Sequence, residues 1–210
     1  TDINDENQTI YFPEIKTTAK DADMNSNISC AKKEITLVDT VSFKGLVPNQ
    51  KYEVTGTLMD KETKKPVEAD GKPVTAKASF KPKESAGTVE VTFTFDASSL
   101  KGKTVVVFES LAYKDKEVAV HSDIADEGQT IYFPEIKTTA TDAASGTHYA
   151  KPEKELTLTD LVEYKNLIPG KEYKLTGTLM DAETEKPFDV DGKAVTAETS
   201  FTPEEANGSV

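Results

Sequence analysis

The segment Gln8-Thr-Ile-Tyr-Phe-Pro-Glu-Ile-Lys-Thr-Thr-Ala19 returns unchanged as Gln129 to Ala140, a shift of 121 residues (129 − 8 = 121). A repeat this strict commits the chain to tandem units built on one plan. The same shift lays Thr36-Leu-Val-Asp39 on Thr157-Leu-Thr-Asp160, Tyr52 on Tyr173, and Thr55-Gly-Thr-Leu-Met-Asp60 on Thr176-Gly-Thr-Leu-Met-Asp181. It runs without insertion to Val89, which falls on Val210.

The phase of the repeat sets the expected boundaries. Asp2 to Gln8 matches Asp123 to Gln129, so residues 1–12 are expected to be the last strand of a preceding repeat. Residues 13–133 make one complete repeat, and 134–210 a second that stops short of the partners of Val91 to Phe133. An unpaired sheet edge is the expected consequence for the second unit.

Within one repeat, short runs rich in Val, Thr, Tyr, Phe and Ile are punctuated by Gly and Pro, which predicts strands joined by turns. They fall near 14–20, 34–43, 51–60, 73–81, 87–96, 103–113, 116–121 and 128–133. Val47-Pro-Asn-Gln50, Asp70-Gly71, Ala86-Gly87, Lys101-Gly102 and Asp115 mark the connections. With no helical periodicity, the expected fold is an all-β, immunoglobulin-like sandwich in tandem.

Composition narrows the function. Of 210 residues, 36% are hydrophobic and 30% charged, enough for a packed core. The net charge of −12 opposes binding to nucleic acid and to anionic membranes. No run is long enough to insert into a membrane. With one cysteine, Cys30, an internal disulfide is excluded, and added covalent stability requires other chemistry.

Side chains alternate across a strand, so parity with apolar neighbours assigns faces. Thr17 shares parity with Ile15 and Ala19, Asp39 with Leu37 and Val41, Glu109 with Val107 and Leu111, and Gln129 with Ile131 and Phe133. All four are expected to point inward, and parity selects Thr17 over Thr18 unless a bulge shifts the strand. Burying an amide without a partner costs roughly 2–7 kcal/mol, so these groups need one another. His121 and Asp126 complete the cluster.

The runs Pro-Glu-Ile-Lys-Thr-Thr-Ala, Tyr-Glu-Val-Thr-Gly-Thr-Leu-Met-Asp, Val-Val-Val-Phe-Glu, and His121 through Gln129-Thr-Ile-Tyr-Phe-Pro span the whole chain. Together they resemble the VaFE, or T-Q ester-bond, repeats of Gram-positive surface adhesins. The resemblance implies a covalent ester between Thr17 and Gln129, joining the first and last strands of a domain without a cofactor. It further implies an extracellular, cell-wall-anchored structural stalk rather than an enzyme.

The implied chemistry suits these residue types. Thr17 would attack the Gln129 carboxamide and expel ammonia, with His121 as base. A carboxyl kept protonated by burial beside another carboxylate would activate the amide. Resemblance favours Glu109 with Asp126 for that role and parity favours Asp39 with Glu109; both assignments stay open. Only Thr17 and Gln129 have both partners within this chain, because Gln8 lacks an upstream threonine and Thr138 a downstream glutamine. Asp160 repeats Asp39 in the second unit.

Blander readings remain beside these. Thr17 can be a packed β-branched residue, Asp39 a tie to backbone amides, His121 an edge histidine and Gln129 a plain polar strand residue. Asp21-Ala-Asp-Met-Asn-Ser-Asn27 resembles the opening of a calcium loop but has Ser26 where glycine is needed and Lys32 where an acid should close it, so it reads as a solvated loop. Cys30 and His148 are unrepeated. A Lys-Asn or Lys-Asp isopeptide sandwich would need an inward lysine, whereas Lys16 and Lys103 fall on outward parity or at strand ends. A ligand-binding module is the other alternative; any host ligand is expected to bind outside these residues, leaving neighbouring repeats as the partners.

Overall fold

Alternating burial in the strands builds the first unit. Strand β1 (Glu14–Asp21) buries Ile15, Thr17, Ala19 and Asp21 and exposes the residues between them. Strands β2 (Ile35–Lys44) and β3 (Tyr52–Asp60) alternate in the same way. The remaining strands of this unit are β4 (Glu68–Ala69), β5 (Lys72–Pro73), β6 (Thr75–Phe80), β7 (Gly87–Phe95), β8 (Thr104–Tyr113), β9 (Lys116–His121) and β10 (Thr130–Tyr132). The computed structural model describes residues 8–210, and the chain divides into two units at Pro134/Glu135.

One sheet has the order β1-β2-β7 and the other β10-β8-β3-β6, all antiparallel. The long strand β8 shares its second edge between two partners: β10 pairs with Thr104 to Val106 and β9 with Glu109 to Tyr113. Leu37, Val41, Val54, Phe93, Val107 and Ile131 meet in a core between the sheets, and each such side chain contributes about 1.5–3 kcal/mol on burial. Strand alternation on two facing sheets is the all-β sandwich that the sequence implies.

Turn chemistry follows the sequence in most places. Lys114 and Asp115, with φ of 49° and 59°, form the two-residue connection from β8 to β9. Asp70 and Gly71 are left-handed in the same way between β4 and β5. Gly87 differs: its φ is not positive, and it lies in β7 because an added Cβ would sit 2.9 Å from the Phe43 ring. It is there for packing rather than for a turn.

Two expectations need correction. The final segment is not one strand from 128 to 133. Glu127–Gln129 form a 3-10 turn, and the strand begins at Thr130, because Asp126 Oδ1 accepts the Gly128 amide and its carbonyl accepts the Gln129 amide. The Asp21 loop is exposed over residues 22–25, as expected, while Asp21 itself and the flanking Ile28 and Ser29 are buried. Of the expected strand over residues 1–12, residues 1–7 lie outside the described residues; Gln8 is exposed and 8–12 form no strand.

The second unit contains β11 (Glu135–Asp142), β12 (Leu158–Lys165), β13 (Tyr173–Thr178), β14 (Asp189–Val190), β15 (Lys193–Ala194), β16 (Thr196–Phe201) and β17 (Gly208–Ser209). It repeats the registers of the first: Thr138 faces Val162 as Thr17 faces Val41, and Ala140 faces Asp160 as Ala19 faces Asp39. Its sheets are β11-β12-β17 and β13-β16, with the small ribbon β14-β15. Leu158 and Leu179 are exposed here, whereas their counterparts Leu37 and Leu58 are fully buried. Among the described residues, no helix is long and apolar enough to cross a membrane.

The two copies of Thr-Gly-Thr-Leu-Met-Asp therefore have different surroundings. A Cβ on Gly56 would lie 2.5 Å from Cζ of Phe93, whereas one on Gly177 would meet only the Ala197 carbonyl at 3.9 Å. Gly56→Ala should lower the stability of the first unit by about 1–3 kcal/mol through overpacking. Gly177→Ala should leave the stability of the second unit unchanged, and denaturant titration of the two variants checks the contrast.

Candidate functional site

The registers bring the polar residues together. On β1 and β2, Thr17 lies opposite Val41 and Ala19 opposite Asp39, so Thr17 and Asp39 are diagonal neighbours on the inner face. No bulge interrupts this pairing, and Thr18 points outward. From the other sheet β8 contributes Glu109, which faces Gly56 on β3 and His121 on β9. The 3-10 turn after β9 delivers Gln129.

Thr17, Asp39, Glu109 and Gln129 are 8%, 0%, 1% and 0% exposed. Thr17 Oγ1 donates to Glu109 Oε2 at 3.1 Å, and Gln129 Nε2 donates to Asp39 Oδ1 at 3.2 Å. The would-be nucleophile and the would-be leaving nitrogen thus each rest on one member of a carboxyl pair. His121 Nε2 and Asp126 Oδ2 lie 2.7 Å apart at the half-buried margin. The hydrogen bond of Thr17 goes to Glu109 rather than to His121.

Among the described residues, three buried side-chain oxygens have no hydrogen-bond partner: Asp39 Oδ2, Glu109 Oε1 and Gln129 Oε1. Two carboxylates in one dry site repel each other and cannot hydrogen-bond, so one proton between them removes both costs. Burial, then the Asp39 charge, raises the Glu109 pKa to about 10. Burial raises Asp39 only to about 6, because hydrogen bonds from Glu109 and the Thr18 amide and the field of His121 oppose it. At neutral pH these opposed shifts favour a neutral Glu109 beside an ionised Asp39. Asp39 thus lies beside Glu109 and holds Gln129, while Asp126 is hydrogen-bonded to His121.

Asp126 has a second task that sequence reasoning did not assign. By accepting the Gly128 amide it caps the turn that ends in Gln129, and its carbonyl accepts Thr130 Oγ1 at 2.8 Å. Gly128 was also missed: a Cβ there would lie 3.1 Å from Asp126 Oδ1 and 3.6 Å from the Thr17 carbonyl. The readable signal was the spacing Asp126-Glu-Gly-Gln129, a capping acid two residues before a glycine.

The unpaired counterparts do not assemble such a site. Gln8, Thr138 and Asp160 are all exposed. Lys16 and Lys103 are exposed as well, and Lys103 lies 3.8 Å from Asp60. Among the described residues, no group of acids, histidines and cysteines is arranged to hold a metal ion.

The sequence model of the T-Q ester bond containing domain matches residues 13–133 and again 134–210. A solved bacterial adhesin from Mobiluncus mulieris, containing intramolecular disulfide, isopeptide and ester bond cross-links, is similar in fold. In one crystal form it is 15% identical, with a TM-score of 0.52, covering 91% of this chain and 98% of that chain. In a second form the values are 14% and 0.49, with 94% and 96% covered. No curated protein sequence matches the chain. With the family pattern matched over both units, and a buried threonine and glutamine held on one carboxyl pair, the chain belongs to the T-Q ester bond containing domain family.

Proposed function

We propose that residues 13–133 form a self-crosslinking structural module of a surface adhesin stalk, closed by an ester between Thr17 Oγ1 and the Gln129 side-chain carbonyl carbon. The observation that carries this reading is the pair of hydrogen bonds from Thr17 to Glu109 and from Gln129 to Asp39, two carboxyls of unequal acidity in a dry core.

The geometry suggests a proton route. As Thr17 attacks, its proton passes to Glu109 Oε2 while the proton of Glu109 passes to the Asp39 carboxylate. Asp39 already touches Gln129 Nε2 and hands that proton to the departing nitrogen. One O–H and one C–N bond break, one C–O and one N–H bond form, and ammonia leaves. His121, held by Asp126 and paired in register with Glu109, helps to keep Asp39 ionised before attack.

The ester closes a loop from residue 17 to residue 129, which restricts the unfolded chain as a disulfide would. Pulling force enters at β1 and leaves through the segment after Gln129 without unzipping the sheets. Hydrolysis is suppressed because the core excludes water. An extracellular position, cell-wall anchoring, neighbouring repeats as partners and a host ligand bound elsewhere belong to the same reading. The isopeptide alternative has less support, since Lys16 and Lys103 face solvent.

Intact mass tests the bond: the chain should be one ammonia lighter than its sequence, and alkaline hydroxylamine should cleave the link. Thr17→Ala or Gln129→Ala should restore the full mass, and an unchanged wild-type mass after long incubation would sink the proposal. Glu109→Gln should slow ammonia loss by at least about a hundredfold. His121→Ala should slow it less; the reverse order would make His121 the acceptor of the Thr17 proton.

The rate of ammonia loss should be greatest between about pH 6 and about pH 10, where Asp39 is ionised and Glu109 protonated. Refolding time courses across that range test the window. In the uncrosslinked Thr17→Ala chain, both folded-state pKa values still lie above their ordinary values. Stability from this pair is then full below the ordinary carboxyl range and is lost as pH rises through about 6 and about 10. Denaturant midpoints should fall accordingly.

A further inference from the structure

The Asp21 loop, which binds no calcium by its sequence, is built into the fold at a telling place. Asp21 is the last residue of β1, four positions after Thr17. It is 4% exposed and Ser29 is 1% exposed. Asp21 Oδ1 accepts the amides of Asp23 and Met24, each at 2.9 Å, and Oδ2 accepts the Ser29 hydroxyl at 2.5 Å. Both carboxylate oxygens are thus occupied by donors from the loop itself.

The loop so closed pairs with the last strand. Ser29 donates its amide to the Tyr132 carbonyl at 2.9 Å, and Tyr132 donates its amide to the Asn27 carbonyl at 2.8 Å. This is a parallel bridge centred on Ile28 and Tyr132. Strand β10 has three residues and pairs with β8 along one edge only. The loop supplies its other edge, three residues beyond Gln129. One carboxylate therefore ties the end of the threonine strand to the strand that follows the glutamine.

Resting on the ester reading above, we propose that Asp21, acting through Ser29, is a positioning residue for the crosslink. It holds residues 27–29 as a clamp on β10 and so fixes Gln129 against Thr17. Misplacing reacting groups by an ångström costs about a hundredfold in rate. The second unit keeps Asp142 at the equivalent place but has Ala150 where Ser29 stands and an exposed Tyr149 where Ile28 is buried. The hydroxyl tie is particular to the first unit.

The test uses the whole chain refolded from denaturant, with folding followed by tyrosine fluorescence and ammonia loss by intact mass. After folding is complete, Asp21→Ala and Ser29→Ala should crosslink about tenfold to a hundredfold more slowly. Their pH profiles should be unchanged, because the proton carriers are untouched. Hydrogen exchange should show the Tyr132 amide deprotected before crosslinking. Asp21→Asn retains an acceptor for the turn amides and a donor towards Ser29 Oγ, and should recover most of the rate. Should Asp21→Ala fail to fold, Ser29→Ala and Asp21→Asn carry the same comparison. Wild-type rates in folded Asp21→Ala or Ser29→Ala, or a shifted pH profile, overturn the positioning role alone. Absence of ammonia loss from the wild type overturns the ester reading and this inference together.

Discussion

The burial of two carboxyls, Asp39 and Glu109, in one core is the constraint on which the first unit turns. Two ionised carboxylates in that core would repel each other with no water to screen them. One proton converts the repulsion into a hydrogen bond and leaves two faces of different character. The neutral face receives the threonine hydroxyl, and the charged face holds the amide nitrogen. A stable core and a reactive site thus have the same requirement, which is dryness.

That requirement explains why residues from both sheets must converge. β1 and β2 bring Thr17 and Asp39, β8 brings Glu109, and the turn after β9 brings Gln129. Phe93 and the other apolar residues between the sheets exclude water from the same space. In the second unit the strands equivalent to β1 and β2 keep the same register. Thr138 and Asp160 are exposed on those strands.

Much of this was legible in the sequence. The 121-residue shift revealed the tandem plan, and period-two alternation placed Thr17, Asp39, Glu109 and Gln129 on the inner face. It worked because an inward residue in a two-layer sandwich has nowhere else to go. Parity failed where the chain left the strand. At Glu127–Gln129 a capping acid wins over extended geometry, and at the Asp21 loop the Asp21 carboxylate and the Ser29 hydroxyl are buried together by their mutual hydrogen bond. The first has a local signal in the spacing Asp126-Glu-Gly-Gln129, whereas the second depends on a pairing with Tyr132 that lies far away in sequence.

By itself, then, the sequence determined the repeat, the all-β architecture, the inward set of polar residues and the absence of any internal disulfide. These follow from local periodicity and from counting. Only the tertiary structure decided which carboxyls lie side by side, that Thr17 leans on Glu109 while His121 leans on Asp126, and that the Asp21 loop pairs with the final strand. Those are matters of distance and desolvation between residues far apart in the chain, and they exist only once the two sheets have closed over one another.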